Sequence, residues 1–435
     1  MNHIINIFCN TDTVGYIDLN LEENSGELHY DESWKKENSP LSPHLPFDGI
    51  TNETNLKKFI SNLLPEGEGL EFVSRFFQIS KANHYGLIEA IGIESAGALT
   101  FTNQKIIPTS FRKFSKEELT LRIQKRKSKN ITIWDDTPRL SVAGVQDKLP
   151  IVIVDDIFGI GQGEISSTHI LKFSKNKEQH IVINEHFCME LATLCGLKTA
   201  NTTILNFDNE KVLAVERFDR EIIKENDSFK VQKIHIIDGC QLLNLDVIMK
   251  YQKPYGGANQ AQVGASFKKL TRGIEFCKTK ALAKLEITRW GLFNLLINNF
   301  DAHAKNISFF VTKSGLEVAP FYDLVNIALY SEFQNEFAFS YGEEFDPKDI
   351  GEYAMVDFCK SIEIHPRLFK QEFSSMVKNI KKNIKNLQKQ IAEDCTEEEK
   401  IFLASLVENI GQTVLKYEPI VNDFTNLYKE YENYV

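Results

Sequence analysis

Asn298-Asn-Phe-Asp-Ala-His-Ala-Lys-Asn306 decides how this chain is read, together with Pro320-Phe-Tyr-Asp323 downstream. An apolar helical run with Leu285, Leu292, Leu295 and Leu296 on one face leads into it, and the stretch itself is abruptly polar. Asp301, His303, Lys305 and Asn306 crowd together before Ile307-Ser-Phe-Phe-Val311 resumes a strand-like pattern. A buried helix that delivers a carboxylate, an imidazole, an amine and an amide to its exit loop is not a packing device. Asp323 adds a second carboxylate after another short strand. Two Asp and one Asn in this order suit phosphoryl transfer, with one carboxylate to orient a hydroxyl and a carboxylate plus an amide to hold Mg²⁺.

Size and composition bound the rest. At 435 residues the chain is long enough for two or three domains or lobes. Hydrophobic residues make up 42% and charged residues 25%, with a mean hydropathy of −0.26, as in an ordinary globular protein. No apolar run reaches the ~20 residues of a membrane helix. Met1-Asn-His-Ile-Ile-Asn-Ile-Phe8 reads as a first strand rather than a signal peptide, so a cytoplasmic protein is expected. The seven cysteines are scattered, with no Cys-x-x-Cys, which argues against a disulfide framework or a zinc site. A net charge of −10 argues against extensive direct nucleic-acid binding. Lys125-Arg-Lys-Ser-Lys129 is a local exception, read as a solvated loop or a contact to an acidic partner or DNA.

Along the chain, Ile4 to Cys9 and Thr13 to Leu19 predict a strand pair, followed by a proline-rich irregular stretch at 39–46. Short helices are expected over 56–64, 70–79 and 86–92, then a strand at 96–102. Residues 106–137 read as a connector holding a Ser-capped helix at 114–123. From about 138 short strands dominate. Ser141, Ala143 and Gly144, between two strands, suit either a loop folded over phosphates or a plain hairpin turn. Lys172 ends the apolar strand Thr168 to Phe173; it is either an edge residue or a cation set against phosphates. Glu185, in a helix from 182 to 195, either meets that lysine, as strand lysine and helix glutamate meet in kinases, or complements the helix N-terminus. The strand Val212 to Asp219 leads into a hinge-like link at Glu216 to Phe218. Beyond 225 the pattern is helical, with helices at 239–245, 259–277, 282–300, 367–392 and 396–434.

Taken together, these motifs resemble the HipA family of bacterial serine/threonine kinases, the toxins of HipBA toxin–antitoxin modules. The resemblance spans nearly the whole chain and matches the full-length form. It runs through Phe59-Ile-Ser-Asn-Leu-Leu-Pro65, Glu94-Ser-Ala-Gly-Ala98, Ser141-Val-Ala-Gly-Val-Gln-Asp-Lys148, Thr168-His-Ile-Leu-Lys172 and Val215-Glu-Arg-Phe-Asp-Arg220. It continues through Lys250-Tyr251, Gly256-Gly257, Asp301 to Asn306 and Pro320 to Asp323. The implied fold is α+β and bilobal, protein-kinase-like. A β-rich N-lobe carries an extra N-terminal subdomain (1–105), a connector (106–137) and an ATP-binding sheet (138–220). A mainly helical C-lobe occupies 221–435.

The resemblance also implies roles. Asp301 would accept the substrate serine's proton, with His303 and Lys305 beside it in the catalytic loop, and Asn306 and Asp323 would hold Mg²⁺. ATP would be bound by the phosphate loop Ala143, Gly144, Val145, Gln146, Asp147 and Lys148, by Lys172 with Glu185, and by the hinge at Glu216 and Phe218. Ser141 matches an autophosphorylated serine whose modification ejects the phosphate loop and switches the kinase off. His303 is read as bracing the loop rather than touching substrate. Asp147 stands where the family commonly has glutamate, and Ala302 where it has glycine, so the loop must need no positive φ at 302. The implied substrate is a translation-related protein such as an aminoacyl-tRNA synthetase, of the glutamyl-tRNA synthetase type, whose phosphorylation causes growth arrest and persistence. The implied partner is a HipB-like helix-turn-helix antitoxin, with operator DNA reached mainly through it. Two alternatives are a catalytically weak kinase-fold binding or co-repressor module and a small-metabolite kinase. Against the first stand intact Asp301, Asn306, Asp323 and Lys172.

Overall fold

The computed structural model describes residues 3–48, 52–106, 109–126, 131–134, 137–138, 148–174, 179–226, 228–254, 262–332 and 335–434. They divide into two compact units. The first gathers Met1–Lys175, Thr203–Ile237 and Phe309–Gly315; the second gathers Asn176–Thr202, Asp238–Ser308 and Leu316–Val435. The expected α+β class is found, with the sheets concentrated in the first unit and the long helices in the second.

In the first unit, alternation of apolar and polar residues builds an antiparallel sheet in the order Ser25–Tyr30, Asp12–Asn20, His3–Cys9, Leu99–Thr102. Ile5, Ile7, Val14, Ile17, Leu19 and Leu28 bury one face, and the helices Glu53–Ser61 and His84–Ile91 pack against its edge strands. The proline-rich stretch is irregular as expected, yet pinned: Tyr30 donates to the Leu45 carbonyl at 2.7 Å and accepts from the Leu41 amide at 3.1 Å.

A six-stranded sheet follows, in the order Thr202–Phe207, Glu210–Glu216, His169–Lys172, Lys148–Val154, Ile157–Gln162, Ser110–Phe114. Its buried face packs Leu149, Ile151, Leu171, Phe207 and Val212 against Leu119, Ile123 and Trp134. Leu119 and Ile123 come from the helix Lys116–Lys125, whose Ser115 cap accepts from the Glu118 amide. The basic run that starts at Lys125 was read as a loop or partner contact. Arg126 does neither: it is paired with Glu210 and donates to the Ser174 carbonyl at 3.2 Å. Lys127, Ser128 and Lys129 lie outside the described residues.

Two sequence expectations are corrected here. Residues beyond 220 were read as helical, but Arg220–Glu225 and Ser228–Lys233 form a hairpin in the first unit. Ile222 and Ile223 are adjacent and both exposed, so the strand has no apolar alternation to reveal it. The helix expected over 259–277 is, in its described part, only Phe267–Gly273 and a 3-10 turn Ile274–Phe276. Ser266 caps that helix, and just before it Gly264 lies flat against Tyr251, where a Cβ would come within 1.7 Å of the carbonyl oxygen.

The second unit is organised on the helices Lys280–Leu296, Ile181–Leu194, Pro366–Ala392 and Glu397–Tyr434. Trp290, Leu292, Phe293, Leu295 and Leu296 are fully buried. Among the described residues no helix is long and apolar enough to cross a membrane. All seven cysteines are free thiols, and burial pushes those of Cys195, Cys277 and Cys359 up to about 12, which leaves them unreactive.

Burial also governs His235 in the first unit. Its Nε2 is 2.9 Å from the Leu41 carbonyl, and desolvation pushes the imidazole down to about 4. The unfolded chain therefore takes up this proton first. Stability present above about pH 6.5 is lost as pH falls towards 4, by roughly 3 kcal/mol at most. Urea melts at pH 7 and 4.5 check this: His235→Gln, which can still donate to Leu41, should show a smaller loss than the wild type. Equal losses would contradict it.

Candidate active site

The polar stretch at 298–306 begins where the central helix of the second unit is made to stop. Asn298 takes a left-handed conformation (φ 54°), its amide bonds the Leu295 carbonyl, and the Asn299 amide bonds the Asn294 carbonyl. That pair of bonds is a Schellman closure, in which asparagine substitutes for the usual glycine. The Asn298 side chain is held in turn by Asn409 and Thr413 at 2.9 and 2.7 Å.

Asn299 is the hub that sequence reasoning missed. It is buried; its Nδ2 donates to Asn294 Oδ1 at 2.8 Å and to the Asp323 carbonyl at 3.2 Å, and its Oδ1 accepts from the Asp301 amide at 3.3 Å. One side chain thus joins the two segments that carry Asp301 and Asp323. Its sequence signal was its place between a helix end and the polar loop. Asn306 closes the loop from the other side, donating from Nδ2 to the Asp301 carbonyl at 2.9 Å. With its nitrogen engaged there, the amide presents its Oδ1 as an acceptor. Asp323 sits at φ 54°, a conformation aspartate tolerates better than most residues. Ala302 is not among the positive-φ positions, so the alanine costs the loop nothing.

The side chains of the loop divide by exposure. The Asp301 side chain is 49% exposed, whereas those of His303 and Lys305 are 8% and 4% exposed. Burial, with Lys250 and then Lys305 nearby, holds the His303 imidazole well below its ordinary value, so it is neutral. Its Nε2 lies 4.0 Å from Asp301 Oδ1, beyond hydrogen-bond range. Lys305 binds Asp238 Oδ2 at 2.6 Å, and Asp238 is also the N-cap of the short helix Gly239–Leu242. The Lys305 carbonyl accepts from the Tyr322 hydroxyl at 2.7 Å. Lys305 therefore braces the loop; the buried His303 Nδ1 makes no hydrogen bond among the described residues, so the bracing bond expected of this residue is not found, and Asp301 is the presented carboxylate. Gly239 is required at that brace, because a Cβ there would meet the Ala304 carbonyl at 2.5 Å.

Apart from Glu185, the other expected site residues that are described lie in the first unit. Lys172 and Lys148 face one another across paired strands, and His169 is opposite Glu216 at the far end of its strand. Side chains directly opposite share one face of the sheet, so Lys172 and Lys148 leave the same face, with Lys172 buried. In the hinge, the Arg217 amide bonds the Thr168 carbonyl at 2.9 Å, and Phe218 packs edge-on to Phe310. Glu185 belongs to the second unit; it is buried and lies beyond the first turn of its helix, which removes the helix-terminus reading. Ser141, Ala143, Gly144, Val145, Gln146, Asp147, Gly256 and Gly257 lie outside the described residues.

The hinge is anchored by a buried ion cluster that the sequence did not announce. Asp219 accepts from Arg217 Nη2 and Arg220 Nη1, each at 2.8 Å, and from the Gly97 amide at 2.9 Å. Glu94 accepts from the Ser167 amide at 2.7 Å and from its hydroxyl, with Arg217 3.7 Å away. Burial would raise the Asp219 carboxyl, but Arg217 and Arg220 hold it well below the usual carboxylate range.

Donors of this kind are hard oxygens, from one amide and one carboxylate, that suit Mg²⁺ completed by phosphate and water. Among the described residues no cluster of three or more His, Cys, Asp or Glu forms a closed metal cage.

Known proteins resemble this chain in sequence and fold. Residues 5–102 match the HipA N-terminal domain and residues 140–394 the HipA-like C-terminal domain. The chain is 37% identical over 372 residues to the serine/threonine-protein kinase toxin HipA of Shewanella oneidensis, covering 84% of this chain and 85% of that protein. A solved complex of Shewanella oneidensis MR-1 HipA, HipB and operator DNA matches with a TM-score of 0.88 at 34% identity, covering 96% of this chain and 98% of that one. By sequence across both domains and by fold, the chain belongs to the HipA family.

Proposed function

We propose that this chain is an ATP- and Mg²⁺-dependent serine/threonine protein kinase that acts as the toxin of a toxin–antitoxin pair. The observation that carries this reading is the clasp of Asn299 and Asn306 around Asp301 and Asp323. These bonds tie the backbones of the segments carrying the exposed Asp301, Asn306 and Asp323 to one another, which supports reading the three side chains as the donor set of a phosphoryl-transfer site. Asp301 orients the substrate hydroxyl and takes its proton; Asn306 Oδ1 and the Asp323 carboxylate hold the metal. Magnesium, when bound, neutralises charge on the phosphates. Lys172 and Lys148 hold the phosphates, with the loop from Ala143 to Asp147, and the hinge at Glu216 and Phe218 takes the adenine. Glu185 supports Lys172.

The expected substrate is a serine of a translation-related protein such as an aminoacyl-tRNA synthetase of the glutamyl-tRNA synthetase type, and its modification arrests growth and favours persistence. Autophosphorylation at Ser141 switches the enzyme off, since a doubly charged group beside a triphosphate site repels the nucleotide. A solved complex of the Shewanella oneidensis relative holds HipB and operator DNA, which supports a HipB-like antitoxin and operator DNA as partners here; the DNA is expected to be reached mainly through the antitoxin, and the chain to act in the cytoplasm.

Incubation with Mg-ATP and a host lysate, followed by phosphosite mapping, tests this. Phosphate on a serine of one translation protein, and on Ser141 of the chain itself, is the expected result. Transfer only to small molecules, or none, would overturn the reading.

A further inference from the structure

Lys250-Tyr251 belongs to the family resemblance but has been given no role, and the structure places it against the presented carboxylate. The Tyr251 hydroxyl donates to Asp301 Oδ1 at 2.6 Å, within the range of a charge-assisted bond. Its ring meets His303 edge-on at 5.0 Å and 87°, and the Lys250 ammonium lies 5.3 Å from the ring centre.

We propose that Tyr251 is a positioning residue for phosphate transfer, orienting the Asp301 carboxylate through its hydrogen bond to Oδ1. This rests on the reading of Asp301 as the proton acceptor. The backbone bonds from Asn299 and Asn306 locate the aspartate main chain but do not set its χ angles. A hydroxyl bonded to one carboxylate oxygen narrows the rotamers that a half-exposed aspartate can adopt.

The tyrosine is itself rigidly mounted. It follows the 3-10 turn Val247–Lys250, and the Ala265 amide bonds the Met249 carbonyl at 2.8 Å. Gly264 lies directly against the Tyr251 carbonyl, where no side chain fits. On its other side the Gln252 amide bonds the Ala338 carbonyl, and the Gln252 side chain accepts from the Ser340 amide, both at 3.0 Å. A mount tied on both sides of one residue is the support a precise contact requires. The edge-on packing against buried, neutral His303 holds the ring plane, so the hydroxyl cannot swing away without disturbing the loop.

Tyr251→Phe keeps the ring and removes only the hydroxyl. The expected result is a kcat lowered about 10- to 100-fold, as for a misplaced reacting group, with the KM for ATP, calorimetric ATP affinity and thermal midpoint unchanged. Tyr251→Leu, which also loses the packing on His303, should show at least the same loss in kcat with a lower midpoint. Wild-type kcat in Tyr251→Phe would make the contact incidental. A faster enzyme would mean that the hydroxyl obstructs the substrate, and a matched loss of midpoint and ATP affinity would make its role merely structural; each overturns the proposal. Asp301→Asn separates the two levels. If that variant retains transfer, the reading of Asp301 fails; if it is inactive while Tyr251→Phe is normal, only the role of Tyr251 fails.

Discussion

Asp301→Asn is expected to lower phosphate transfer about 10²- to 10⁴-fold while Mg-ATP binding stays within a factor of two or so. The substitution is isosteric and spares the main-chain contacts that shape the loop, since Asn299 and Asn306 bind the Asp301 amide and carbonyl rather than its side chain. The side-chain amide can still accept from Tyr251, but it cannot take the hydroxyl proton. Isothermal calorimetry with Mg-ATP, alongside a single-turnover transfer assay, separates binding from chemistry. A variant that transfers phosphate at the wild-type rate would remove Asp301 from the mechanism and leave the loop without a base.

Asp219→Ala carries the largest expected effect on stability. The carboxylate is the counter-charge of both Arg217 and Arg220, all three are buried, and its removal leaves two guanidinium groups facing each other. Burial and the proximity of Arg217 already push Arg220 down to about 10. Breaking a buried pair by deleting one partner costs about 3–5 kcal/mol. Because Arg217 lies within the hinge, the nucleotide affinity should fall as well. The pH sign follows from the depressed carboxyl: the wild type has this stabilisation above the ordinary aspartate range and loses it as pH falls through the folded value. Asp219→Ala should lack that acid limb. Chemical denaturation at pH 7 and at about pH 2 measures both effects, and a loss below about 1 kcal/mol at pH 7 would mean that the arginines find other partners.

The candidate site was legible because polar, chemistry-bearing residue types were concentrated where packing predicts none. Asp301, Asn306 and Asp323 stood out against the apolar helix before them and the strands around them. A helix start was readable where its cap was local, as at Ser115, whereas the helix expected over 282–300 stops at Leu296, closed by the left-handed Asn298. What escaped were partners distant in sequence. Nothing near Tyr251 marks Asp301, fifty positions on, as its acceptor, and nothing near Lys305 points back to Asp238. Arg126 looked like part of a solvated basic run because its partner Glu210 lies on another strand. The hairpin Arg220–Lys233 failed for a different reason: a two-stranded ribbon with adjacent exposed isoleucines lacks the periodicity by which strands are recognised. Asn299 was quoted but given no role, since a hub is defined by what converges on it.

The interleaved composition of the two units has a consequence for the order of synthesis. The first unit is completed by Phe309–Gly315, which leaves the ribosome after the loop holding Asp301 and Asn306. The second unit opens with Asn176–Thr202, ahead of the hinge, and continues through the long helices after Leu316. Neither unit can close on a nascent chain that stops short of residue 309, because each still lacks a strip of itself. An incomplete translation product of this chain would therefore hold the residues of the proposed hinge and catalytic loop in sequence without either in a finished fold. For a protein expected to arrest the translation that makes it, activity would arrive late and all at once.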